Sequence, residues 1–257
     1  MDDDRVLAAA KTAISQAGVL ALDYQTKGVT LVEVEKTIGY GTVTEADKAV
    51  EEFLKERIRS DFPGESIVAE ESGGVPAGTL WTIDPIDGTT FCARGLVDWS
   101  TSISRFVDGE AVVGLTYCPP TGELFYATKG GGAFLNGKPI HVSALDNPKQ
   151  AVVNLGQDII RLYGRTDIEE ELIKGTRSHW TTGSTALALC RLAEGKIDLA
   201  AHMGQSIWDI GAASVIVPEA GGRFRTLDRR PLDLTGARAN DIHVDNGVLP
   251  QNWSFLS

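Results

Sequence analysis

Four short runs of this chain carry acids and hydroxyls in patterns that could do chemistry. In Trp81-Thr82-Ile83-Asp84-Pro85-Ile86-Asp87-Gly88-Thr89-Thr90 an apolar strand ends in one carboxylate, and a second returns three residues on. Pro85 blocks further ladder pairing and stiffens the turn between them. Two close carboxylates repel each other unless a cation lies between them or one is protonated. Ligands that are all oxygen select a hard ion such as Mg²⁺ or Mn²⁺ over zinc. Gly88 lets the backbone approach a ligand, and Thr89 and Thr90 add hydroxyls and N–H groups. A turn with a capping aspartate is the plainer reading of the same residues.

The other three runs are individually ambiguous in the same way. Ile67-Val68-Ala69-Glu70-Glu71-Ser72-Gly73-Gly74 leads an apolar strand into acids and glycines, either a ligand or an exposed acidic turn. Neighbours on a strand face opposite sides, so only one of Glu70 and Glu71 is expected to meet the Asp84 cluster. Asp209, in Ser206-Ile207-Trp208-Asp209, is an N-cap for the small-residue helix that follows, a metal ligand, or both. Thr44-Glu45-Ala46-Asp47 fits a helix start in which Asp47 folds back on the cap. The functional alternative is that Asp47 takes a proton from a nearby hydroxyl.

Signatures of several other chemistries do not occur. The four histidines (His141, His179, His202 and His243) are widely separated, and the sequence holds no G-x-S-x-G, no P-loop and no G-x-G-x-x-G after a strand. The formal charge of −11 disfavours nucleic acid and anionic membrane as partners, and an anionic substrate would need local cations or a metal. Three scattered cysteines, an acidic N-terminus with no apolar signal run, and no long apolar stretch lead us to expect a soluble, cytoplasmic protein.

The elements that must position these residues follow from periodicity. Val6, Ala10, Ala13, Ile14, Ala17, Leu20 and Ala21 line one face of a helix over residues 2–25. Further helices are expected at 45–59, 166–174, 184–194 and after Trp208, with Pro218 bending or ending the last. Strands are expected at Val29–Val34, Ser66–Ala69, Leu80–Ile83, Thr101–Val107, Ala111–Tyr117, Glu123–Ala127, 151–154, 197–201 and 241–244. Asp108-Gly109-Glu110 joins a hairpin. Helices interspersed with strands in both halves, with no linker, predict one layered α/β domain over 1–257, its halves meeting near residue 145.

In combination, Asp84-Pro85-Ile86-Asp87-Gly88-Thr89-Thr90, Glu70-Glu71-Ser72, Thr44-x-x-Asp47 and Trp208-Asp209 with Glu219-Ala220-Gly221-Gly222 resemble the inositol monophosphatase family, over about residues 5–245. The resemblance implies an αβαβα sandwich, a lithium-sensitive phosphomonoesterase needing two or three Mg²⁺ (or Mn²⁺) per site, a small phosphorylated metabolite as substrate, and a homodimer. By the same resemblance Glu70, Asp84, Asp87, Asp209 and the carbonyl of Ile86 hold metal. Gly88, Thr89 and Thr90 cradle phosphate, and Asp47 and Thr89, with Glu70, act on the attacking water. Asp87, Gly183, Ser184, Thr185, His202, Arg94 and Trp99 are then expected to meet the substrate.

Several positions depart from the family pattern. The run after the motif is Phe91-Cys92-Ala93-Arg94-Gly95, and Trp99 follows, as in relatives acting on histidinol phosphate. His202 stands seven residues before Asp209, where a carboxylate often meets the inositol ring. Inositol 1-phosphate is therefore the first expectation for substrate, with histidinol phosphate and fructose 1,6-bisphosphate as alternatives. A regulatory binding protein that kept the fold is a lesser one.

Overall fold

The computed structural model describes residues 3–35, 40–230, 232–233, 240–250 and 253. The first half opens with helix α1 (Asp3–Lys27), a hairpin of β1 (Val32–Glu35) and β2 (Tyr40–Val43), and helix α2 (Glu45–Asp61). Then come β3 (Ser66–Ala69), β4 (Leu80–Asp87), the short helix α3 (Thr89–Ala93), β5 (Ser100–Val107), β6 (Glu110–Cys118), β7 (Glu123–Thr128), β8 (Gly132–Leu135) and β9 (Lys138–Pro139). The second half holds β10 (Val152–Leu155), α4 (Asp158–Arg161), α5 (Thr166–Gly175), β11 (Ser178–Trp180), α6 (Thr185–Ala193) and β12 (Leu199–Gln205). It ends with α7 (Ile207–Ile210), α8 (Ala213–Glu219), β13 (Arg223–Thr226) and β14 (Asn240–Asp245).

Strands β3 to β9 form a seven-stranded sheet in sequence order, and a five-stranded sheet runs β11-β10-β12-β14-β13. Three apolar clusters set the layers. Val6, Ala10, Ile14 and Ala17 of α1 and Val50, Leu54 and Ile58 of α2 pack on Trp81, Ile83 and Ile103, covering one face of the larger sheet. Leu187, Leu189 and Leu192 of α6 and Val215, Ile216 and Val217 of α8 fill the space between Phe125 of that sheet and Ala200, Ile242 and Val244 of the smaller one. Ile159, Ile168 and Leu172 close the outer face of the smaller sheet against Val153 and Leu199. The result is a mixed α/β fold in five layers, helix, sheet, helix, sheet, helix.

Two expectations need correction. Pro85 does not end its strand: β4 continues to Asp87, with its pairing to β5 shifting between Asp84 and Asp87. The proline sits in that bulge, where no ladder N–H is required. The Thr101 hydroxyl donates to the Pro85 carbonyl at 2.8 Å, satisfying the acceptor that the bulge frees. One helix, α1, is also long and apolar enough by length and composition to cross a membrane. Its apolar stripe is core surface here, packed on the larger sheet. Elsewhere the bends fall where they were expected. Asp108 and Gly109 take positive φ in a two-residue hairpin turn, and α8 ends one residue after Pro218.

Candidate active site

Strand β4 delivers the central acids. Trp81 and Ile83 belong to the core beneath α1 and α2, so Thr82 and Asp84 face the opposite side, toward the middle helices. Asp84 is fully buried, and its Oδ1 has no hydrogen-bond partner. Burial drives its carboxyl well above the ordinary range, and the charges of Glu70, Asp87 and Asp209 push it further. The Glu70 carboxyl raises it by hydrogen bonding as well as by charge. Acids from two other runs, Glu70 and Asp209, are thus felt by this carboxylate together with its near neighbour Asp87. Among the described residues no three acid, histidine or cysteine side chains already close into a metal cage. Mutual repulsion of a like-charged group opposes such closure until a cation or a proton neutralises it.

The bulge turns Asp87 toward helix α6. Its Oδ2 accepts from the Ser184 hydroxyl and the Ala186 N–H, both at 2.7 Å. Ser184 is the N-cap of α6, so the carboxylate lies at the positive end of that helix. Asp87 is partly open to solvent, yet the protein around it pushes its carboxyl up to about 6, against the downward pull of Ser184 and Ala186. Its partners in these bonds are neutral donors.

Glu70 sits in a tight turn closed by reciprocal bonds between Ala69 and Gly73, at 3.0 and 2.9 Å. Its own N–H donates to the Ile83 carbonyl at 3.1 Å, tying the turn to β4. Glu71 does point elsewhere in its backbone bonding: its N–H donates to Glu51 Oε2 on α2 at 2.7 Å. Asp209 is not the cap residue of its helix. That place belongs to Ser206, whose N–H donates to Asp209 Oδ2 at 2.6 Å, so Asp209 lies a turn inside α7. Gly211 follows it, and a Cβ there would stand 2.3 Å from Ser104 Oγ, so α7 lies directly on β5.

Asp47 does two things at once. Its Oδ2 accepts from the Thr44 N–H at 2.7 Å, closing the capping box of α2, while its Oδ1 accepts from the Thr89 hydroxyl at 3.1 Å. The structural and functional readings of Thr44-x-x-Asp47 are therefore both occupied. Burial raises its carboxyl to about 6, although the Thr44 hydrogen bonds lower it. Thr89 Oγ1 lies equally 3.1 Å from the Ile86 carbonyl, and its one proton can serve only one of the two acceptors at a time. Gly88, with φ of +97°, turns the chain from β4 into α3, and no side chain caps the first N–H groups of that helix.

The expected substrate contacts fare differently. Trp99 has no exposed surface with which to meet a ligand: it is a core residue packed beneath Gly88. Ser184 is fully buried and spends its hydroxyl on Asp87. Gly183 lies under Phe91, where a Cβ would stand 2.3 Å from the ring. His202 is only 3% exposed and lies 2.7 Å from Asn154 Oδ1 through Nε2 and 3.3 Å from Thr185 Oγ1 through Nδ1. Burial lowers its pKa to about 4, so the ring is neutral near pH 7. Since Asn154 Oδ1 can only accept, Nε2 carries the proton and Nδ1 accepts from Thr185. Arg94 is exposed at the end of α3, and Thr90 is exposed within it. Glu219 is structural, accepting from the Gly130 and Gly132 N–H groups at 2.6 and 2.8 Å.

Sequence reading overlooked Glu51, Thr101 and Asn154. Glu51 carried a signal: it falls one turn after Asp47 on the face of α2 that also bears Val50 and Leu54, and an acid there demands a partner. A cavity of about 720 Å³ lined by Phe106, Lys129, Phe224, Arg225 and Arg229 includes none of these acids, so the site is assigned by its chemistry rather than by cavity size.

The model of the inositol monophosphatase family matches residues 2–254. The chain is 32% identical over 214 residues to a histidinol-phosphatase of Mycobacterium tuberculosis, covering 80% of this chain and 81% of the relative. It is 35% identical over 208 residues to a fructose-1,6-bisphosphatase/inositol-1-monophosphatase of Thermotoga maritima, covering 80% and 77%. The structure of an inositol monophosphatase from Anabaena superposes with a TM-score of 0.81 at 32% identity, covering 96% of this chain and 93% of that one. The family match and these relatives make the chain a phosphomonoesterase. The chain belongs to the inositol monophosphatase family.

Proposed function

We propose that this phosphatase hydrolyses a small polyol or sugar phosphate with Mg²⁺ bound among Glu70, Asp84, Asp87, Asp209 and the Ile86 carbonyl. The observation that carries the reading is the buried Asp84, its Oδ1 without a partner and its charge opposed by three other acids. The donor set is all oxygen, which suits a hard divalent ion. Bound there, Mg²⁺ would supply the positive charge that lets an anionic ester approach the carboxylates, and would acidify water.

The chain's own residues do the rest. When the Thr89 hydroxyl donates to Asp47, its oxygen lone pairs are free to accept from a water beside the phosphorus. As that water attacks phosphorus and the ester P–O bond to the alcohol breaks, the water's proton passes to Thr89 Oγ1 and the Thr89 proton passes to Asp47 Oδ1, while the departing alkoxide takes a proton from solvent. A carboxyl held near 6 is suited to take it at neutral pH. The uncapped N–H groups of Thr89 and Thr90, with Gly88, would hold the phosphate oxygens.

Inositol 1-phosphate is our first candidate substrate. His202 stands where a carboxylate often meets the inositol ring in the family, so histidinol phosphate and fructose 1,6-bisphosphate are kept beside it. Phosphate release from these three esters, with and without Mg²⁺, tests the reading. Release from at least one that stops on chelation supports it; undiminished release without divalent ion overturns the metal assignment. No release from any ester, together with a stable protein partner, would favour the regulatory alternative. The same reading includes inhibition by lithium, a homodimer measurable by light scattering, and a reducing compartment such as the cytoplasm, which three buried free cysteines support.

A further inference from the structure

We infer that Glu51 is a positioning residue that sets the divalent-cation affinity of the site by fixing the turn that carries Glu70; this rests on the metal-binding role proposed above. Glu51 is 3% exposed and lies on the same face of α2 as Asp47, one helical turn on. Its Oε2 accepts from the Glu71 N–H at 2.7 Å, while the adjacent Glu70 N–H donates to the Ile83 carbonyl at 3.1 Å. The backbone is thereby held on both sides of the Glu70 side chain, once to the strand bearing Asp84 and once to the helix bearing Asp47. Lys55 lies 3.8 Å from the other Glu51 oxygen, besides its ion pair with Glu52 at 2.9 Å, and is itself only 13% exposed, which offsets part of the charge of the buried carboxylate. What the carboxylate contributes is an acceptor aimed at one backbone N–H beside a ligand. Partners that orient metal ligands from outside the coordination sphere typically change affinity by about 10- to 100-fold when removed.

The test is direct binding of Mn²⁺ to the purified protein without substrate, followed by electron paramagnetic resonance of the free ion, alongside the Mg²⁺ dependence of kcat and KM. Glu51→Ala is expected to weaken Mn²⁺ binding by about 10-fold or more. It should raise the Mg²⁺ concentration for half-maximal rate in parallel, and leave kcat at saturating Mg²⁺ within a few-fold of the parent. Glu51→Gln keeps a carbonyl acceptor of the same length and is expected to restore most of the affinity. A folded Glu51→Ala protein with parental Mn²⁺ affinity would overturn the inference, as would a Gln variant no better than Ala. Should the Ala variant not fold, the decision falls to Glu51→Asp, whose shorter reach should weaken Mn²⁺ binding while its melting curve stays cooperative; unchanged affinity overturns the inference. A parent protein that binds no Mn²⁺ at all would instead remove the metal-binding role itself, so the two failures are separable.

Discussion

At the scale of single residues, the acids differ in what they do besides catalysis. Asp87 is held by Ser184 and Ala186, so Asp87→Asn keeps the shape of the site while removing a charge proposed to hold metal. Turnover should fall by about 10³-fold or more with the melting temperature little changed, since a proposed ligand of the ion that stabilises the transition state is lost. Near-parental kcat would take Asp87 out of the mechanism. His202 makes a prediction that does not depend on activity. Its folded pKa, about 4, lies below its unfolded value near 6.5, so acid favours the unfolded chain, which binds the proton more readily. The stability it contributes is complete above pH 6.5 and is lost as pH falls toward 4. Relative to His202→Asn, the parent should lose about 1.4 kcal/mol per pH unit across that window. Parallel urea-unfolding curves for the two proteins at pH 7 and pH 5 would show that the ring is not buried as the neutral form. Substrate preference should shift in the same variant, while the Mg²⁺ requirement stays.

At the scale of elements, two glycines lie at close approaches behind the runs that carry the acids. Gly74 has a φ of +152°, and a Cβ there would stand 2.1 Å from the Ile67 carbonyl oxygen, within the strand that leads to Glu70. Gly74→Ala is expected to destabilise the fold by about 1–3 kcal/mol, as strained positions and overpacking do, and to weaken Mg²⁺ dependence through the displaced turn. Gly114 of β6 brings the middle helices close: a Cβ there would meet the Ala212 carbonyl oxygen at 2.5 Å. Gly114→Ala should push α7 and α8 outward, so chemical denaturation and Mg²⁺ titration should both register the change though no ligand is altered. An unchanged Mg²⁺ midpoint in a destabilised Gly114→Ala protein would show that Asp209 is placed independently of this contact. Element boundaries themselves were legible where periodicity was strong. The faces of α1 and α2 and the acids at strand ends could be read from residue spacing. The passage of β4 through Pro85 could not, because the bulge depends on Thr101 of the next strand supplying a hydroxyl. Trp99 was expected at the substrate from its likeness to relatives acting on histidinol phosphate, and an aromatic near a glycine-rich motif looks the same in sequence whether it points out or in. Only packing under Gly88 decides it.

At the scale of the whole molecule, the candidate site draws on both halves. Glu70, Asp84 and Asp87 come from the seven-stranded sheet and its connections, whereas Asp209 and the α6 residues that hold Asp87 come from the second half. The middle helical layer shares one apolar cluster with both sheets, so neither half is expected to retain the assembled acids without the other. The layered class could be anticipated from the mixture of helices and strands, and the five-layer order rested on resemblance. Strand order in the smaller sheet, where β12 pairs parallel to β10 and antiparallel to β14, has no local signal because its pairing is between distant segments.

The double duty of Asp47 has a consequence for descendants of this chain. A lineage that abandoned hydrolysis would still need the carboxylate to seal the start of α2, so its presence says little about whether an enzyme is alive. Asp84 is the opposite case: once no ion were required, nothing in its surroundings would reward keeping a buried, partnerless oxygen, and drift to a neutral side chain would relieve the protein. Inactive offshoots of such a fold should therefore be told from active ones at position 84 long before position 47 changes.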